Sequence, residues 1–119
     1  MRRAYEADPL LGWVVDGGRW WLVDRSTGER WGSGMDDDQR RAEDVAYVGR
    51  LPRPDGAGTM VVVAGVHAIG SLGAVHWLAE HLAELHAETA GRPFSMLIRS
   101  SHEGLTITGT EVACPARTY

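Results

Sequence analysis

The chain has no lysine, no asparagine and one cysteine, and each shortage closes off a chemistry. All 12 basic residues are arginine, so there is no amine for a Schiff base and no lysine for a phosphate loop. Arginine, alanine and glycine use GC-rich codons while lysine and asparagine use AT-rich ones, which points to a GC-rich bacterial genome. Cys114 has no partner for an internal disulfide and suits a reducing cytosol. No long apolar run is present: Met60 to Ala64 is far too short to span a bilayer. Met1-Arg2-Arg3 is followed by charged and turn residues, not by the apolar stretch of a signal peptide. A net charge of −4 argues against a broad nucleic-acid-binding face. The expectation is a cytoplasmic protein that neither enters a membrane nor reads nucleic acid directly.

What is there fits one domain spanning 1–119, with 44% hydrophobic and 24% charged residues. Residues 1–10 read as an arm broken at Asp8-Pro9. LGWVV and RWWLVD flank Asp16-Gly17-Gly18, a hairpin signal, and Ser26-Thr27-Gly28 leads on to ERWGS. Residues 11–34 are therefore a Trp-rich β-meander. Trp20 and Trp21 are adjacent, so in a strand they point to opposite faces. Asp36-Asp37-Asp38-Gln39-Arg40-Arg41 reads as a solvated connector with one or two helical turns.

Residues 44–119 form a core of strand, glycine loop, helix and hairpin. Val45–Leu51 is a strand closed by the Pro52–Gly56 turn. Thr59–Ala64 reads as a strand buried on both faces. After it, Leu72, Val75, Leu78, Ala79, Leu82 and Leu85 recur at helical spacing as a core-facing stripe, with Glu80, Glu84 and Glu88 toward water. Gly91 and Pro93 stop the helix. Phe94–Arg99 and Leu105–Val112 make a closing hairpin with Leu105 and Ile107 inward. The fold class expected is α+β, or a small α/β sandwich. It has a mostly antiparallel or mixed sheet of five to seven strands and one long amphipathic helix on one face.

The segment Gly65-Val66-His67-Ala68-Ile69-Gly70-Ser71-Leu72-Gly73 lies between a strand and a helix N-terminus, where unpaired amides attract anions. It matches no established pattern. The phosphate loop needs a lysine, the dinucleotide loop needs G-x-G-x-x-G, and the nucleophile elbow needs a glycine two residues before Ser71. Two readings stay open: a ligand loop built on Gly65, His67, Gly70, Ser71 and Gly73, or a tight connection with Ser71 as N-cap. Arg50 and Arg53 flank a turn that could approach the same loop and pair with an anion; alternatively they pair with Asp44 or Asp55. His67 is the best single functional side chain, though the sequence offers no acid to orient it. His76, His81 and His86 are spaced five apart, which on a helix prevents a shared metal, and His102 falls in a hairpin tip. No metal or cofactor is expected, and Cys114 reads as packing.

The block DVAYVGRLPRPDGAGTMVVVAGVHAIGSLGAVHWLAEHLAEL, residues 44–85, resembles a domain that follows helix-turn-helix regions in actinobacterial regulator-like proteins. The matching positions are Asp44, Tyr47, Gly49, Arg50, Pro52, Arg53, Pro54, Asp55, Gly56, Gly65, His67, Gly70 and Gly73, within a likeness running from about Trp20 to the C-terminus. The resemblance implies a sensory or regulatory domain with an unspecified ligand. No helix-turn-helix occurs in this chain, so any regulation would run through a protein partner. The leading expectation is thus a non-catalytic ligand-binding or protein-interaction domain taking a nucleotide or other small anion at Gly65–Gly73. It would form a homodimer through sheet edges or the Trp-bearing face. The alternatives are a small hydrolase or transferase with His67 as acid or base and Ser71 as nucleophile or substrate contact, and a purely structural dimerisation module.

Overall fold

The computed structural model describes residues 4–53 and 55–119; the Met1-Arg2-Arg3 start and Pro54 lie outside the described residues. Seven strands and one helix follow in the order β1 (Leu11–Asp16), β2 (Arg19–Asp24), β3 (Arg30–Gly32), β4 (Glu43–Pro52), β5 (Thr59–Gly65), α1 (Ala68–Thr89), β6 (Phe94–Glu103) and β7 (Thr106–Thr118). The fold is α+β. β1-β2-β3 form one antiparallel sheet, and β5-β4-β6-β7 form a second. The β1–β2 turn is local chemistry: Gly17 and Gly18 take φ of 63° and 76°, the positive values that a two-residue hairpin requires.

Alternation along the central strands explains the layering. Val45 and Tyr47 face the three-stranded sheet, joining Leu11, Leu22, Leu97 and Cys114 in one buried cluster. Ala46 and Val48 face the helix, joining Ala74, Leu85, Phe94, Met96 and Ile98 in another. The four-stranded sheet is therefore the middle of three layers. Its central strands β4 and β6 are the doubly covered ones. β5, expected to be buried on both faces, is instead an edge strand, paired among the described residues with β4 alone, and its side chains are half-buried or exposed.

The helix also differs from its expected orientation. Gly70, Gly73, Ala74, Leu85 and Thr89 are its buried positions, whereas Leu72, Val75 and Leu82 are 41%, 52% and 50% exposed. The small residues face the sheet because they let the helix backbone approach it, and most of the apolar stripe consequently points away. Leu105, expected inward, is exposed at the tip of the β6–β7 hairpin, while Ile107 is half-buried. Trp20 shares the core-side face of its sheet with Leu22 but is 47% exposed, and Trp13 meets it edge-on at 6.2 Å. Trp21, on the outer face, is stacked by the Arg19 guanidinium.

Candidate functional site

The loop expected to cradle a ligand is closed from within. Asp44, at the start of β4 and 1% exposed, aims its carboxylate at the first turn of α1. Its Oδ2 accepts the backbone N–H groups of His67 and Gly70, each at 2.9 Å. The N-cap residue is His67 rather than Ser71, and it makes no side-chain cap, so Asp44 supplies from another strand the anion that the helix N-terminus attracts. Ser71 Oγ is engaged too, accepting the Gly65 N–H at 2.7 Å.

The glycines have matching steric reasons. A Cβ at Gly70 would run into the Asp44 carboxylate, one at Gly73 into Ser100 Oγ, and one at Gly65 into the His67 carbonyl. Gly49 provides the bed for the Tyr47 ring, whose hydroxyl donates to Asp8 Oδ2 at 2.7 Å. Much of the distinctive block thus has an architectural account, close helix–sheet approach and a tied-down N-terminal arm.

The two halves of the expected site are not brought together. β4 and β5 are neighbours, but antiparallel ones: Gly65 pairs with Ala46, while Arg50 pairs with Val61. Four residues of extended strand, about 13 Å, separate those levels. Arg50 lies at the other end of α1, donating to His86 Nδ1 at 3.2 Å and standing over Phe94. Arg53 pairs with Asp55 at 3.3 Å.

His67 does acquire the acid that the sequence did not reveal. Its Nε2 lies 2.9 Å from Asp36 Oδ1, in the Gly34–Asp36 3₁₀ turn that follows the meander. The two residues are 31 apart in sequence and half-exposed, and no short motif links them. The same turn forms one wall of a cleft of about 630 Å³ lined by Arg19, Asp36, Asp37, Arg40, Arg41 and His102, with the Gly17-Gly18 hairpin tip opposite. That volume lies within the common range for small-molecule sites, although the cleft is open and polar.

The charges in the cleft are organised around Asp37. Arg41 holds it at 2.6 Å and Arg19 at 3.0 Å, and these hydrogen bonds, with Arg41 the stronger cause, lower the Asp37 pKa. The same carboxylate raises the pKa of Arg41. Arg19 is further fixed by the Ser33 carbonyl at 3.0 Å. Arg40 stands apart. Its φ of 47° is in the left-handed region, uncommon for a residue with a Cβ, and among the described residues its side chain has no ion pair or hydrogen bond. His102, expected in a hairpin tip, is half-buried at the cleft with an unpartnered Nδ1, while its backbone N–H bonds the Ala42 carbonyl.

The remaining candidates fall away from this cleft. His81 stacks on Trp77 at 4.4 Å and bonds the Trp77 carbonyl, while His76 and His86 are exposed. Cys114 is buried, and desolvation pushes its thiol pKa up, against nucleophilic use. Among the described residues no group of three or more His, Cys, Asp or Glu could hold a metal ion, and no helix is long and apolar enough to cross a membrane. No protein-family model matches the chain, and no curated protein or solved structure shows significant similarity to it.

Proposed function

We propose that this protein is a non-catalytic regulatory domain that binds a small anion, such as a nucleotide or another phosphate-bearing or carboxylate metabolite. The site is the cleft between the Gly17-Gly18 hairpin tip and the Met35–Ala42 connector, beside His67. The observation carrying this reading is Arg40: a guanidinium on a strained backbone, with no ion pair among the described residues, next to two arginines already fixed by Asp37. A cation in such a setting is available for an incoming anion, and arginine can grip phosphate or carboxylate through two parallel hydrogen bonds. His102 Nδ1 offers a further polar partner. This shifts the anion from the Gly65–Gly73 loop, whose Gly70 amide Asp44 already takes, to the neighbouring cleft. The regulatory character rests on the resemblance of the 44–85 block, and the loaded state would be passed to a protein partner.

Thermal shift against inorganic phosphate, pyrophosphate, nucleoside phosphates and dicarboxylates tests the reading, because a ligand bound only by the native state raises Tm by mass action. A saturable rise that disappears in Arg40→Gly is expected. That variant should be neutral or more stable by up to about 1 kcal/mol, since glycine accepts the positive φ. An equal rise in Arg40→Gly, or no rise with any member of the panel, rejects the site.

The His67–Asp36 pair favours one second reading, a small hydrolase or transferase on a nucleotide-like substrate with His67 as acid or base. Turnover of nucleoside phosphate esters by the wild type, lost in a folded His67→Ala variant, would establish it. Absence of turnover leaves the binding domain.

A further inference from the structure

The outward face of α1 is the wrong face for water. Ala68, Leu72, Val75, Ala79, Leu82 and His86 are all exposed, and they succeed one another at intervals of four, three, four, three and four residues. That is the 3.5-residue repeat of a coiled-coil seam, about 27 Å long over these 19 positions. The flanking positions His76 and Ala83 add no carboxylate or arginine, and the exposed acids Glu80, Glu84 and Glu88 lie on another side of the helix. A helix apolar on the side away from its own core as well as toward it is one buried on both sides.

We propose that this face pairs with the same face of a second copy of the chain, the two helices running antiparallel across a two-fold axis. Self-complementarity singles out this occupant. In antiparallel register Leu72 meets Leu82 of the second copy, Val75 meets Ala79, and Ala68 meets His86, and each layer recurs once by symmetry. Large residues then oppose small or matching ones, whereas a parallel pair would set Ala68 and Ala79 against themselves and leave voids. The antiparallel arrangement also opposes the helix dipoles favourably. Two chains of net charge −4 repel each other, so a contact surface free of acids is what they need. Complete burial of the seam and its flanks would remove about 1,000 Å² over both copies, at the lower bound for a specific interface, which suits a weak, reversible dimer. A reversible dimer joined through its helix layers follows, independent of the anion cleft and at a different place from the sheet edges and tryptophans that the sequence suggested.

Sedimentation velocity of the full chain over a concentration series tests the pairing, with circular dichroism as the folding control. Wild type should convert from monomer to dimer with concentration. Leu72→Glu should weaken the dimer by about 100-fold or more, because each of two symmetric apolar layers then contains an unpaired carboxylate. Leu72→Glu combined with Leu82→Arg should restore it, since each glutamate then meets an arginine of the other copy; within one helix the two positions are about 15 Å apart and do not reach each other. A wild type that remains monomeric throughout, a dimer untouched by Leu72→Glu, or a folded double variant that stays monomeric would overturn the proposal.

Discussion

Asp44 is the residue whose removal should cost the most for the fewest atoms lost. Its carboxylate is 1% exposed and accepts two N–H bonds of 2.9 Å from the first turn of α1, joining the helix to the central strand. In Asp44→Ala the His67 N–H loses its acceptor, at ~1–3 kcal/mol, while the Gly70 N–H keeps only its bond to the His67 carbonyl at 3.1 Å, which with the lost charge at the helix start adds ~1 kcal/mol. Relaxation and water entry recover part of this, so a loss of about 2–3 kcal/mol is expected, a large share of a typical 5–15 kcal/mol stability. Asp44→Asn separates the hydrogen bonds from the charge. Its amide oxygen can still accept from both N–H groups, and the new NH₂ occupies the place of Oδ1, which has no partner. About 1–2 kcal/mol is the expected loss for the asparagine variant. Urea unfolding with an unchanged m-value reads both numbers. An Asp44→Asn variant as damaged as Asp44→Ala would refute the hydrogen-bond account, and an Asp44→Ala loss under about 1 kcal/mol would show that the helix start does not depend on this carboxylate.

Two further perturbations follow from the same packing. Gly73→Ala should cost about 1–2 kcal/mol net, the overlap with Ser100 Oγ exceeding the gain in helix propensity, and Ser100→Gly in that background should recover most of it in a double-mutant cycle. Asp24 has its pKa lowered to about 2 by the Ser26 hydroxyl first, then by the Ser26 and Thr27 N–H groups and Arg117. A carboxyl depressed on folding contributes stability above the ordinary carboxylate pKa and loses it as pH falls from about 4 toward 2. Chemical unfolding across that window should be flatter for Asp24→Asn than for wild type; identical acid limbs would remove Asp24 from the account.

The sequence by itself determined the local features, because their causes lie within a few residues. Asp16-Gly17-Gly18 makes its hairpin wherever the chain goes, and Gly91 with Pro93 ends the helix for backbone reasons alone. The meander, the helix and the closing hairpin were legible for this reason, and so was the α+β class. Tertiary structure decided which surfaces meet. The sheet takes Gly70, Gly73 and Ala74 together with Leu85, Trp77 and Leu78, and leaves Leu72, Val75, Ala79 and Leu82 outward, because the small residues at the helix start allow close approach of two backbones. β4 and β5 pair as antiparallel neighbours, which places Arg50 and Arg53 at the opposite end of β5 from the Gly65 loop. Asp44 filling the helix N-terminus, and Asp36 meeting His67, join residues 23 to 31 positions apart. Such pairings depend on strand register and layer stacking, long-range choices made by the packing of the whole core rather than by any local stretch of chain.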